Sequence, residues 1–403
     1  MLQRTSSKNT PFPLRNRGRF FVLTFTCLAV LLFSVQQSPA PDLKLPKLPS
    51  FSKKGRGDEL EETAQAPSGP GGMCMTVSGD YIVSCHQFFN YRYRVVRLDK
   101  DDNWVPFPNE AMNTPGSGSS VILDSVLGLA SDSRGIVWML DNGRRTGTMP
   151  KLVAWDTKKE AIHRVIPINQ QALSPRSFLK NLVLDPVAPF IYISDPADGH
   201  SSAIIVVDTE TGLTRRLLEG HRSVQMDQTI PFEIDGGRVE VRRPDGAVAT
   251  PLTGVSPIAI DRKGEWLFYG PRNGSSLFKI KTELLRRDDI QPHVLQSQVL
   301  GVSPKPVCDS LVIDSKGRIY FGDISRGSID YVSPEEDYLN LRLHIQDPRI
   351  TWPGGLLIGP DGQLHFFSSQ LHRTPFFNSG KDVTTPPFSI FRARPRPSSR
   401  FPF

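Results

Sequence analysis

The chain has 403 residues, 38% hydrophobic content and a formal net charge of +7, enough apolar material for one large all-β core. Its 35 prolines and 32 glycines interrupt it too often for long helices and favour short strands joined by turns. The charge argues against a nucleic-acid surface because it sits at the ends. Residues 1–19 carry five cations and no acid, and the tail from Arg392 carries four more with no acid. The body between is near neutral and lacks the clustered cations that phosphate binding needs.

In chain order, a basic N-terminal tail (1–19) leads into the sixteen-residue apolar run FFVLTFTCLAVLLFSV (20–35). A charged segment followed by an apolar one is the pattern of an export signal. Ser38-Pro39-Ala40 offers small residues for cleavage, but Pro41 follows directly, so both a cleaved signal peptide and an uncleaved signal-anchor helix remain open. Either places the body outside the cytoplasm, secreted or membrane-anchored, with membrane contact only through this leader. Residues 36–71 are rich in Pro, Ser, Lys and Gly and read as a disordered linker.

Cys27 lies in the leader, leaving Cys74, Cys85 and Cys308. If Gly79-Asp80 forms a two-residue hairpin turn, Cys74 stands opposite Cys85 and a cross-strand disulfide is possible; two buried thiols are the alternative. No CxxC pair points to a thiolate metal site.

From residue 72 to 395 one pattern recurs six times: an apolar strand, a tight Gly or Pro turn, then a strand rich in aromatic and β-branched residues. The copies are MCMTVSGDYIVSC, LGLASDSRGIVWML, LVLDPVAPFIYISD, IAIDRKGEWLFYG, LVIDSKGRIYFGD and LLIGPDGQLHFFS. Their turns fall at Gly79, Gly135, Pro189, Gly264, Gly317 and Gly362, about 45–56 residues apart except for one longer interval. That interval holds an extra segment, Phe232 to Val248, read as an inserted hairpin. Further strands follow several copies, as in KLVAWDTKKEAIHRVIPI and AIIVVDTETGLTRRLL. Four strands per unit, repeated six times, predict an all-β six-bladed β-propeller. Residues 396–403 form a basic C-terminal tail.

Several segments carry a family resemblance. HQFFNYRYRVVRLDKDDNWVPFPN (86–109), VWMLDNG (137–143) and KLVAWDTKKEAIHRVIPI (151–168) resemble parts of the major royal jelly/yellow proteins. So do IYISDPADGHSSAIIVVDTETGLTRRLLEGH (191–221) and WPGGLLIGPDGQLHFFSSQLHR (352–373). The resemblance spans roughly residues 70–395. It implies a secreted or surface-held six-bladed propeller with a central pocket for a small molecule, in a family whose characterised members bind small aromatic amines or act near melanin-type pathways. The architecture is also similar to that of gluconolactonase/senescence-marker lactonases, which hold a divalent cation through an early Glu, a fourth-blade Asn and a fifth-blade Asp. Here the fifth-blade Asp corresponds to Asp309, the fourth-blade Asn to Ser256, and a third-blade substrate Asn to Lys180, beside Asn181. The early Glu has no counterpart. Asp309 is thus the single retained metal ligand, and a cation such as Ca²⁺ would be weakly held.

Residues just before the inner strands should ring the channel, which makes Asp124, Asn181, Ser256, Asp309 and Trp352 the candidate ligand-binding set. Each could instead serve a local turn or cap. His86, His200, His221 and His372 are scattered over different repeats and read as surface or packing residues. No GxSxG elbow or phosphate loop occurs. The expected function is small-molecule binding. The rivals are a metal-assisted lactone or ester hydrolase using Asp309 and an interaction module using the propeller's rim.

Overall fold

The computed structural model describes residues 60–242, 246–378 and 380–397. The expected leader helix, most of the linker and most of the C-terminal tail lie outside these residues. Among the described residues no helix is long and apolar enough to cross a membrane.

Six four-stranded antiparallel sheets make up the body. Blade 1 runs through Pro70–Met75, Tyr81–Cys85, Val95–Leu98 and Trp104–Pro106. Blade 2 uses Val126–Ser131, Ile136–Asp141, Lys151–Asp156 and Ala161–Pro167. Blade 3 uses Leu182–Leu184, Phe190–Asp195, Ala203–Asp208 and Thr214–Leu217. Blade 4 uses Val255–Ile260, Trp266–Pro271, Ser276–Lys281 and Leu300–Pro304. Blade 5 uses Cys308–Ile313, Ile319–Asp323, Ser328–Val332 and Arg342–Gln346. Blade 6 takes Pro353–Ile358, Leu364–Ser368 and Phe388–Ala393 from the end of the chain and its outer strand, Leu60–Ala66, from the beginning.

That last strand corrects the linker boundary. Residues 60–66 are not linker; they pair antiparallel with the last strand, from Leu60↔Ala393 to Ala66↔Phe388. The sequence LEETAQA has no apolar alternation because an outer strand buries little: Leu60 and Ala66 are buried while Glu61 and Gln65 face solvent. The propeller therefore begins at Leu60 rather than residue 72. At the other end, the first tail residue docks instead of remaining solvated, its Arg396 backbone N–H donating to the Tyr320 hydroxyl at 3.0 Å.

Period-two alternation explains why the sheets stack radially. In blade 2, Ile136, Trp138 and Leu140 pack against Ile191, Ile193 and Ile205 of blade 3. The intervening Val137 and Met139 pack against Cys74, Ile82 and Val95 of blade 1. Equivalent apolar layers join blades 3 and 4, 4 and 5, 5 and 6, and 6 and 1, which closes the ring. Gly79, Gly135, Gly264, Gly317 and Gly362 all adopt positive φ in the turns expected of them. An aspartate ending several inner strands organises that turn. Asp132 accepts the Ile136 amide at 2.9 Å, Asp261 the Glu265 amide at 2.7 Å and Asp314 the Arg318 amide at 3.0 Å.

The blade 1 turn spans Thr76 to Asp80, with Met75 opposite Tyr81. This longer turn shifts the register, so Cys74 faces Ile82 and Cys85 faces Pro70. The Cys74–Cys85 bridge is therefore not formed. Cys74 packs toward blade 2 and Cys85 toward blade 6, both as free buried thiols. The inserted segment folds as two short ribbons, Glu233–Ile234 with Gly237–Arg238 and Val241–Arg242 with Val248–Ala249.

Candidate functional site

The site begins with an irregularity shared by several inner strands. Register breaks occur between Val126 and Leu129, Val255 and Ile258, Cys308 and Leu311, and Gly354 and Leu357. A bulge at the start of an inner strand re-aims the side chains there. At this level four consecutive blades converge. Asn181 precedes the blade 3 inner strand, Ser256 and Asp309 open those of blades 4 and 5, and Trp352 precedes that of blade 6.

Asp309 is the hub. Its Oδ1 accepts the Ser256 hydroxyl at 2.9 Å, and its Oδ2 accepts the Trp352 indole N–H at 2.8 Å and meets the Lys180 ammonium at 2.6 Å. Asn181 donates to the Ser256 and Asp309 carbonyls, each at 2.9 Å, tying blade 3 to blades 4 and 5. Burial alone would raise the Asp309 carboxyl. The Lys180 and Arg272 charges, with the hydrogen bonds from Lys180 and Ser256, instead hold it well below the usual carboxylate range. Trp352 sits at φ +51°, a left-handed conformation costly for a bulky residue. It is held there by Asp309, by Ser369, whose hydroxyl donates to its carbonyl at 3.1 Å, and by the His372 ring stacked on it 6.2 Å away.

Asn181, Ser256, Asp309 and Trp352 thus come together as expected, and Asp124 does not join them. Its Oδ2 accepts the amides of Arg145 and Thr146 at 2.9 and 3.1 Å, and its Oδ1 the Thr146 hydroxyl at 2.6 Å. It braces the loop between the second and third strands of blade 2, a local cap rather than a channel residue.

Above the network lies a cavity of about 530 Å³ whose wall includes His86, Phe88, Lys180, Arg272, Trp352 and Phe377. Below it, the inner strands border a second space of about 380 Å³ that Asn181 lines. Lys180 lines the upper cavity and Asn181 the lower one, and the two meet at the hydrogen-bonded layer around Asp309. The inserted ribbons contribute to the upper half: Phe232 packs edge-on against Trp352 at 5.6 Å, and Asp235 meets His372 at 3.1 Å and Arg373 at 3.2 Å.

Three cavity residues carry no clear signal of a site role in the sequence. Lys180 stands out there only as the position aligned with the lactonases' third-blade Asn, which it does not match, Arg272 sits at the end of a second strand, and His86 reads as a packing histidine. His86 does pack on Phe88, with ring centroids 4.5 Å apart. It is also buried against the cavity. Burial and then the Lys180 charge push its imidazole down to about 3, so it is neutral at physiological pH. Its Nδ1 accepts the Phe88 amide at 3.2 Å, which leaves the proton on Nε2.

Asp309 does not fit the metal role that the lactonase likeness implies for it. Both its oxygens are engaged, Oδ1 by the Ser256 hydroxyl and Oδ2 by the Trp352 indole and the Lys180 ammonium. No group of three His, Cys, Asp or Glu side chains suited to a metal occurs among the described residues. A buried carboxylate already neutralised by a lysine offers little to Ca²⁺, which takes six to eight oxygen ligands.

Among solved structures, a gluconolactonase from Xanthomonas campestris is 12% identical, covering 85% of this chain and 91% of its own, with a TM-score of 0.51. A luciferin-regenerating enzyme is 10% identical over 83% of this chain and 95% of its own, with a TM-score of 0.49. A virginiamycin B lyase from Staphylococcus aureus is 14% identical over 84% and 99%, with a TM-score of 0.46. At such identities the likeness to the gluconolactonase is one of fold alone. A search of curated protein sequences finds no significant match. The family model for the major royal jelly proteins matches residues 124–396, well over half of the chain, and the protein is a member of that family.

Proposed function

We propose that this royal jelly-type propeller binds a small molecule in its upper cavity and works outside the cytoplasm. The observation that carries the reading is the cavity itself. Its roughly 530 Å³ falls in the range of small-molecule sites, and its aromatic walls surround a few convergent polar groups. The axial layer supports it: groups from four blades hold one another, so the floor is rigid before any ligand arrives. A chemically broad set of neutral, cationic and anionic metabolites, screened by thermal shift, should contain a compound that raises Tm. A ligand at 100 times its Kd contributes about 2.7 kcal/mol. Leu252→Trp, placed at the cavity wall, should abolish the shift without lowering the unliganded Tm by much. If no compound raises Tm, or if the shift survives Leu252→Trp, the cavity is not the binding site.

The location rests on the basic end and apolar run that open the sequence. N-terminal sequencing of the protein recovered from the medium or the membrane fraction should give a mature start near Pro41 or an intact leader, respectively. Recovery of the full chain from the cytosol would overturn the assignment.

A further inference from the structure

The charges around the axis do not balance. Lys180, Arg272 and Lys305 are 7%, 5% and 4% exposed; the Asp309 carboxylate acts on all three, and that of Asp323 also acts on Lys305. Lys180 takes Asp309 as its ion-pair partner. Lys305 is solvated by carbonyls, with Gly274 at 2.7 Å, Pro306 at 2.9 Å and Arg272 at 3.4 Å. Arg272 has neither arrangement in full. Its Nη2 donates to the Pro251 carbonyl and its Nε to the Asn273 side chain at 3.2 Å. Its guanidinium lies over the rings of Phe232 at 4.9 Å and Trp352 at 5.6 Å. No carboxylate lies within ion-pair distance, and Nη1 has no hydrogen-bond partner among the described residues. Arg272 is one of the residues lining the cavity. A buried cation without a counter-charge is costly, and ring faces offset only part of that cost.

The acid on the cavity wall, Asp198, makes no ion pair with Arg272. Asp198 lies on the rim, and its Oδ1 is taken by the amides of His200 and Ser201 at 3.1 and 2.8 Å and by the Ser201 hydroxyl at 2.7 Å. Arg144 and Arg176 add two further cations to the same wall. The cavity is thus apolar in bulk and cationic in its fixed charge.

Building on the cavity reading above, we infer that its ligand is an anion, specifically a small organic acid. Its carboxylate meets the unpartnered Nη1 of Arg272, and an aromatic or apolar body lies along Phe88, Trp352 and Phe377. The unpartnered Nη1 can donate a charge-assisted hydrogen bond to a carboxylate, with the positive charge of the guanidinium behind it. A cationic amine would add positive charge beside Lys180 and Arg272 where water screens it poorly.

The test titrates the full chain calorimetrically with two matched pairs at pH 7, indole-3-acetate against tryptamine and 4-hydroxyphenylacetate against tyramine. Within each pair the ring is held constant and only the sign of the charge changes. The acid should bind at least ~10-fold more tightly than the amine, as a charge-assisted contact of ~1.5 kcal/mol or more predicts. Arg272→Gln should remove that advantage while leaving Tm unchanged or higher, and Arg272→Lys should restore part of it. If the substituted chains fail to fold, the acid–amine contrast in the unsubstituted protein decides the matter alone. Amines that bind as tightly as the acids overturn the anion assignment and leave the cavity intact. The anion assignment also falls if neither series binds but the metabolite screen finds a neutral ligand. If no compound of any charge binds, both readings fail together.

Discussion

Replacing Asp309 with alanine is expected to destabilise the propeller by ~3–5 kcal/mol, the range for breaking one half of a buried ion pair. The loss has three sources. It strands the Lys180 ammonium, leaves the Trp352 indole N–H and the Ser256 hydroxyl without their acceptor, and opens a gap where four blades meet. Urea unfolding of the two chains measures it. Adding Lys180→Met to Asp309→Ala removes the stranded charge and should recover ~1 kcal/mol or more through the coupling of the pair.

The pH dependence has a definite sign. The Asp309 carboxyl is depressed in the folded protein, so its contribution is complete above the unfolded value near 3.9 and disappears as pH falls through the lower folded value. The wild-type chain should therefore keep this contribution from pH 8 to 5 and lose it only in stronger acid. In Asp309→Ala the buried Lys180, lowered by burial and without its counter-ion, should make the variant less stable as pH falls. An Asp309→Ala chain within ~0.5 kcal/mol of wild type, as a neutral surface change would be, refutes the axial network as an anchor.

Removing residues 1–66 should cost on the order of 5 kcal/mol, the sum of several ladder hydrogen bonds at ~1 kcal/mol each and the buried Leu60 side chain. That is comparable to the whole stability of an ordinary domain. The deletion takes away the outer strand of blade 6 and bares Phe388–Ala393 along its length. A bare edge of this kind invites pairing with another chain. The truncated protein should accumulate as aggregate, whereas one that starts a few residues before Leu60 should be monomeric and as stable as the full chain. Light scattering and thermal melts separate the two. Equal stability of both chains would mean that Leu60–Ala66 contributes nothing to closing the ring.

The architecture is legible because its signal is periodic. Six apolar strand–turn–strand copies, each with a turn residue in place, have few other solutions, and the alternation that builds the interblade layers is visible in strings such as IVWMLD. Asn181, Ser256, Asp309 and Trp352 can be found by position, since chain entering an inner strand arrives near the axis. Asp124 shows the limit of that rule: it occupies the same kind of position, yet its carboxylate is captured by the loop at Arg145 and Thr146. Arg272 cannot be found this way because it enters the cavity from the end of a second strand. Leu60–Ala66 is silent in the sequence because an outer strand needs no apolar alternation and its partner lies over three hundred residues away. The Cys74–Cys85 pairing depends on the length of one turn, and a change of turn length shifts every partner beyond it.

The ammonium beneath the cavity is attached to the backbone of blade 3. A chelator cannot extract it, and competing metals cannot displace it by mass action. Whatever enters from above meets a floor whose electrical character is inherited with the polypeptide, independent of the ions in the surrounding fluid.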